Sequence, residues 1–265
     1  MDQRFFATQK PAPCVFPTSR RLSSPFVQFH ATDDNFTTAN NLDHIRRTEN
    51  LHLGNNLLLE FGYAPEQLGS DRDRFIYRGT WQDRLLYDGR RLIQHSLNLA
   101  GMWNLESGRS EDLVLQYELR SFHRQTKRRS FFARFNAIYT KNLNSNRQVL
   151  LGGETGARAF DNRFQTGDRR LLLSLEERMY TTLHLFNLVR VGWAIFLDVG
   201  RAWQPGVDDG LQDDYLANFG LGLQFASSKS NVGRIVHADL AFPLTNKSNP
   251  LVDSSQISVN IKTGL

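Results

Sequence analysis

The stretch Ile257-Ser258-Val259-Asn260-Ile261-Lys262-Thr263-Gly264-Leu265 puts Ile257, Val259, Ile261 and Leu265 on one side of an extended chain, and Ser258, Asn260 and Lys262 on the other. Successive strand residues point to opposite faces, so strict alternation marks a sheet with one apolar and one wet side. The same pattern recurs upstream at residues 26–32, 51–63, 74–86, 91–103, 112–122, 130–140, 170–180, 189–203, 216–226 and 234–244, separated by polar turns such as Asp88-Gly89-Arg90.

The apolar side faces either a protein core or lipid. A tilted strand needs about 9–11 residues to cross a bilayer, whereas globular strands more often run to about 5–6, and most of these segments are long. Although 22% of the chain is charged, the apolar parity is read as interrupted only by Asp83 and Glu177. A charge on that face at mid-membrane would cost about 2–4 kcal/mol. The other face carries His52, Glu60, Arg78, Arg84, Gln94, Asn98, Gln116, Glu118, Arg120, Arg134, Asn136, Arg178, Arg190, Asp198, Asp239 and Lys262. In a small soluble barrel the inward face is the apolar one, so this polar set calls for an aqueous lumen. Tyr63, Tyr77, Trp103, Phe131, Tyr139 and Phe242 lie toward strand ends on the apolar face, where a membrane interface favours amphipathic rings. The expected fold is all-β, an antiparallel transmembrane β-barrel of about 11–12 strands.

Composition sets outer bounds. With 265 residues, 40% of them hydrophobic, and a mean hydropathy of −0.44, the chain suits one globular domain or one medium barrel. Alternation averages hydropathy away, and no run long enough for a membrane-spanning helix is present. The single cysteine, Cys14, excludes an internal disulfide framework and a thiolate zinc site. The seven histidines have no metal-ligand spacing, so no metal and no cofactor is expected. Net charge is +5, but the densest basic cluster, Arg124 to Arg129, reads as a solvated turn without interleaved aromatics, so no nucleic-acid partner is expected.

Residues 1–25 form an N-terminal segment without a signal-peptide pattern, since Met1 to Arg21 holds prolines and no apolar h-region. A barrel must be exported, so Met1 is expected not to be the biological start; the segment could add one more strand. Residues 26–265 form the barrel domain. Within it, residues 141–169 make a long loop without a strand pattern, containing Gly152-Gly153, Gly156, Gly167, Arg158, Asp161 and Arg163; loops of that length are usually functional or disordered. Residues 33–50 read as a second irregular, solvated connection.

Leu151-Gly152-Gly153, Ala157-Arg158-Ala159-Phe160, Gly167-Asp168, Leu175-Glu176-Glu177-Arg178 and Phe196-Leu197-Asp198-Val199-Gly200 follow one another in order. The series resembles the C-terminal barrel of the BamA/TamA superfamily, the bacterial surface-antigen barrels. Those insert or export polypeptides across outer membranes. Their signature is a Gly-Gly pair, an Arg-Gly-aromatic motif in the long loop, a Glu-x-Arg on the next strand and an aromatic-x-Asp-x-Gly on the one after. The resemblance spans residues 26–265 and is most specific over 150–200. It implies a lumen-directed loop latched by Arg158, Phe160, Glu176 and Asp198, with loop glycines Gly152, Gly153 and Gly167 and strand-motif residues Phe196 and Gly200. Strand parity agrees: Glu176, Arg178, Phe196 and Asp198 face the lumen, so a loop folding inward brings Arg158 to two carboxylates that a guanidinium fork can meet bidentately. Two departures stand out. Ala159 replaces the family's glycine, a difficulty if that backbone needs positive φ, and Leu265 stands where the family prefers an aromatic.

The resemblance implies an outer-membrane location in bacteria, lipid and a client polypeptide as partners, and no bond chemistry. With fewer strands than the family's usual sixteen or so, the chain reads as a short or partial version of that barrel, whose open edges could pair with a second copy. The alternative is a passive pore, or a membrane anchor for a missing N-terminal domain such as a patatin-like phospholipase. His237, Asp239 and Ser258 could be drawn as a hydrolytic set, but no nucleophile motif accompanies them and they read as polar lining, so no enzyme is expected.

Overall fold

The computed structural model describes residues 2–3, 19–40, 48–207, 215–228 and 234–263. Cys14, Leu265 and most of the expected extra strand in the opening segment lie outside them, as does the side chain of Lys262. The elements are β1 (Asp2–Gln3), β2 (Arg20–Arg21), β3 (Phe26–Thr32), β4 (Asn35–Asn40), β5 (Thr48–Ala64), β6 (Arg74–Tyr87), β7 (Arg91–Asn104), β8 (Arg109–Arg124), β9 (Arg129–Lys141), β10 (Val149–Leu151), β11 (Gln165–Gly167), β12 (Arg169–Leu185), β13 (Val189–Trp203), β14 (Leu216–Ser227), β15 (Arg234–Pro243) and β16 (Gln256–Thr263). Two short 3₁₀ turns, Glu66–Leu68 and Gly153–Thr155, complete the list. No helix among the described residues is long and apolar enough to cross a membrane.

The chain is all-β, built on one twelve-stranded antiparallel sheet. Its order, β16-β15-β14-β13-β12-β9-β8-β7-β6-β5-β3, is an up-and-down meander in which each strand pairs with its neighbours in sequence. Two insertions interrupt that sequence: β4, the twelfth strand, which lies between β3 and β5 in the chain and pairs with β5 off this path, and the loop carrying β10 and β11, between β9 and β12. Tight turns follow the local chemistry: Asp88 and Gly89 both take positive φ (52° and 60°), and Arg90 N–H donates to the Tyr87 carbonyl at 3.0 Å. This is the twist that a two-residue hairpin demands.

All eleven strands read from the alternation are present. Two segments differ from the sequence reading. Residues 33–50 are not simply a solvated connection, because β4 pairs with Thr48–Leu53 of β5. Strand β4 continues the direction of β3 along the same partner, past a kink at Asp33, whose carboxylate accepts the Asn55 N–H at 2.7 Å beside Gly54 (φ 83°). The long loop also has strand structure of its own, since β10 pairs with β11.

The two faces are inverted relative to a water-soluble sheet. Val27, Phe29, Phe61, Phe75, Leu97, Leu99, Leu171, Leu173, Ile195, Leu197, Leu221, Leu223, Ile257 and Val259 are all exposed, on one parity. Along β12 the opposite parity is buried without a break from Arg170 to Tyr180, and Gln94, Asn136, Glu176, Arg178, Asp198, Asn218, His237 and Asp239 are buried on that face. The sheet curls around these polar residues: side chains from β8 and β9 share a cavity of about 430 Å³ with side chains from β12, β13, β15 and β16.

The apolar face is less free of charge than the alternation suggested. Asp83 sits in register with Asn55 and His95, and Glu177 is paired with Arg129 at 3.0 Å. Arg91 and Arg201 share the same parity, as do Arg129, Lys141 and Arg169 where the strands run on beyond the sequence reading. These cations lie at or near strand ends, where position along the strand, which parity ignores, makes charge tolerable.

Connections alternate in length between the two ends of the sheet. One end carries residues 65–73, 105–108, 142–168, 204–215 and 244–255; the other carries 41–47, 88–90, 125–128, 186–188 and 228–233. Since every step in the sheet order is antiparallel, β3 and β16 run in the same direction, and no pairing joins them among the described residues.

Candidate functional site

The long loop folds onto the polar face, and its backbone prepares the approach. Gly152 (φ 132°), Gly153 (φ 51°), Gly156 (φ 120°) and Ala157 (φ 60°) leave the usual regions of backbone space. A Cβ on Gly152 would lie 2.1 Å from the Asp161 carbonyl oxygen, and one on Gly156 would lie 2.3 Å from the Leu172 side chain. Gly167 allows an equally close approach, for its Cβ would meet the Trp203 backbone at 2.3 Å. At Gly200 a Cβ would come within 2.9 Å of the Leu171 carbonyl oxygen and 3.2 Å of Leu151. The left-handed residue near the arginine is therefore Ala157. Ala159 does not adopt positive φ, so the strain expected from the missing glycine does not arise there.

These turns deliver Arg158 to the interior of the curl. Its Nε donates to Asp198 at 2.9 Å and its Nη2 to the other Asp198 oxygen at 3.0 Å, the expected bidentate fork. The same Nη2 donates to Glu176 at 3.0 Å. A third carboxylate, Asp239, accepts from Nη1 at 3.1 Å. The guanidinium lies 3.5 Å from the centre of the Phe196 ring, a stacked cation–π contact. Burial works against the charged guanidinium, but the facing carboxylates of Asp198, Glu176 and Asp239 outweigh it and raise the Arg158 pKa above its ordinary value.

The partners are themselves held. Asn218 donates to Asp198 at 3.1 Å, and Arg178 donates to the second oxygen of Glu176 at 2.9 Å. Two guanidiniums therefore meet three carboxylates, with Glu176 and Asp239 each 3% exposed and Asp198 1%. Charges removed from water to this extent persist only when paired and hydrogen-bonded. Phe160 anchors the loop beside them, buried in an apolar cluster with Leu151, Ala157, Ala159, Leu172, Phe196, Ala202, Leu216 and Ala241.

Every residue assigned to the latch from the sequence thus converges on one place. Sequence reading missed Asp239 as a partner of Arg158, counting it as lumen lining, and it missed the two glycines that make room. A Cβ on Gly222, directly opposite Asp239 in the β14–β15 register, would sit 2.4 Å from the Asp239 carboxylate. One on Gly220 would sit 2.4 Å from the Phe196 ring. The signal was the Gly220-Leu221-Gly222 spacing, two small residues on the inward parity of a strand that neighbours the Phe196 strand.

Beyond the latch, Arg170 donates to the Leu150 carbonyl and to Asn136, each at 2.8 Å, fastening the base of the loop. Glu118 takes Arg120 and Arg134, both at 2.7 Å. Asp239, the acid of the hydrolytic set considered above, is committed to Arg158. Among the described residues no group of histidine, cysteine, aspartate or glutamate side chains is arranged to hold a metal ion. No protein-family model matches the chain, and no curated protein matches it.

Proposed function

We propose that this chain is an outer-membrane β-barrel of the assembly and secretion type, acting on polypeptides that are inserted into or moved across a bacterial outer membrane. The observation that carries the reading is the inverted sheet: apolar side chains exposed on one face and a buried, ion-paired loop on the other. Exposed apolar surface on this scale is costly in water and is what a closed or nearly closed sheet presents to hydrocarbon. The long and short connections segregate to opposite ends, in keeping with barrels that have short periplasmic turns and longer outer loops.

A loop latched inside the curl favours a working barrel over a passive pore or an anchor for another domain, because neither needs a polar clamp in its lumen. The similarity in motif order to the BamA/TamA barrels supports the same choice. Strand direction bears on the second copy expected at the open edges. Two copies inserted in one orientation would meet through strands running the same way, giving a parallel ladder, slightly less stable per residue than the antiparallel pairs elsewhere. Closure by antiparallel pairing needs an odd number of further strands running against β3 and β16.

The test is membrane fractionation followed by detergent extraction. The reading expects the chain in outer-membrane fractions, soluble only with detergent, and expects Arg158→Ala to impair insertion or export of a reporter polypeptide. Recovery as a monodisperse protein in detergent-free buffer would refute it.

A further inference from the structure

We propose that the outward face at the long-connection end carries a binding site for a phosphate-bearing lipid headgroup, built on Arg169 and Arg201; the proposal rests on the membrane reading above. Tyr139, Arg169 and Trp203 are direct cross-strand neighbours on β9, β12 and β13. Arg201 lies opposite Leu171, so the two arginines are diagonal neighbours on adjacent strands. Side chains so placed have Cα atoms about 7–8 Å apart.

Aromatic rings frame both cations. The Arg169 guanidinium is 5.2 Å from the Tyr139 ring, and that of Arg201 is 5.5 Å from Trp203 and 5.7 Å from Tyr215. Ring and cation thus alternate from Tyr139 to Tyr215 along the rim. Immediately toward the middle of the sheet the same face becomes wholly apolar, with Leu171, Leu173 and Leu197 exposed.

This order of surfaces matches one occupant. Acyl chains fit the leucines, the interfacial region fits the aromatic rings, and an anionic group fits the arginines at the rim. A guanidinium fork prefers phosphate because it can meet two oxygens at once. Cations on the lipid-facing side are tolerated at the interface and penalised at mid-depth, and Arg169 and Arg201 stand at the end of β12 and near the end of β13.

The experiment titrates the detergent-solubilised protein with phosphatidic acid, and with phosphatidylcholine of the same chain length, reading lipid-bound species by native mass spectrometry. Saturable binding of phosphatidic acid over phosphatidylcholine is expected. Each arginine should contribute roughly fivefold to affinity, so R169Q/R201Q should bind about 25-fold more weakly. R201K, which keeps the charge and loses the fork, should fall between. Arg128→Gln, in a turn at the other end, should bind as the wild type does. Equal affinity in the double variant, or no preference for phosphatidic acid in the wild type, overturns the site. Either result leaves the membrane reading standing, whereas solubility without detergent would remove that reading itself.

Discussion

Replacing Arg158 with alanine takes one guanidinium from a site where Glu176, Asp198 and Asp239 are each 3% exposed or less. Asn218 and Arg178 continue to serve Asp198 and Glu176, but Asp239 loses the guanidinium that ties it to the loop. Breaking a buried pair by removing one member costs about 3–5 kcal/mol. Because Arg158 belongs to the loop and its partners to the sheet, that cost falls on closure of the loop. The opening equilibrium should rise by the corresponding factor, roughly 150- to 5,000-fold. Limited proteolysis at Arg147 or Arg163, both within the loop, reports this directly when closing is faster than cleavage. Asp198→Asn should move cleavage in the same direction, since it weakens both teeth of the fork. In the double variant the effects should not add, as expected for residues sharing one contact. Cleavage of R158A within about threefold of wild type, the range of an ordinary surface change of up to 0.5 kcal/mol, would refute the idea that this ion cluster holds the loop.

Other outcomes follow from the same geometry. Asp239→Asn should cost far less than Asp198→Asn, about 1 kcal/mol or under, because it retains an oxygen acceptor and brings the cluster of two guanidiniums and three carboxylates to neutrality; the proteolysis assay would rank them. Gly220→Ala should prevent proper pairing of β14, since the new methyl would lie 2.3 Å from the Leu240 carbonyl oxygen as well as against Phe196; folded yield in detergent measures this. Leu221→Arg, in the middle of β14 on the exposed face, should cost about 2–4 kcal/mol for folding into vesicles if that face meets hydrocarbon. An effect within 0.5 kcal/mol would indicate that the face meets water.

Much of this architecture was legible because a strand needs only a period of two to declare itself. Leu171, Leu173 and Leu175 against Arg170, Leu172 and Ser174 show how that worked on β12, although Leu172 is apolar on the inner parity. It belongs to the cluster around Phe160, so the inner face carries an apolar patch where the loop's apolar residues pack, beside the carboxylates that its arginine meets. Strand β4 escaped notice because Asn35-Phe36-Thr37-Thr38-Ala39-Asn40 has no apolar alternation. It is a strand because Thr48, Glu49 and Asn50, at the polar beginning of β5, offer it backbone partners. Hydrogen bonding along an edge leaves no hydropathy signal. The three-residue strands β10 and β11 are too short for any period to register.

The latch divides along the same line. Local parity sufficed to place Glu176, Phe196 and Asp198 inside, and the loop motif sufficed to select Arg158. Asp239 needed more, because it comes from β15, two strands away from Asp198 in the sheet, and reaches the guanidinium over Gly222. Such a contact depends on curvature, which alternation does not encode: a flat sheet with the same register would leave Asp239 and Asp198 on separate strands with no common partner. Curvature also explains why three carboxylates are tolerated so close together. They converge because the sheet curls, and the singly charged, five-donor guanidinium of Arg158 meets all three, so the curl is expected to depend on it. If so, the loop is part of what shapes the sheet rather than a later addition to it. R158A should then loosen pairing between β14 and β15 as well as the loop, so amide exchange at Leu221 to Leu223 should quicken along with cleavage in the loop. Unchanged exchange there, with faster cleavage, would mean that the sheet curves on its own and the latch merely closes upon it.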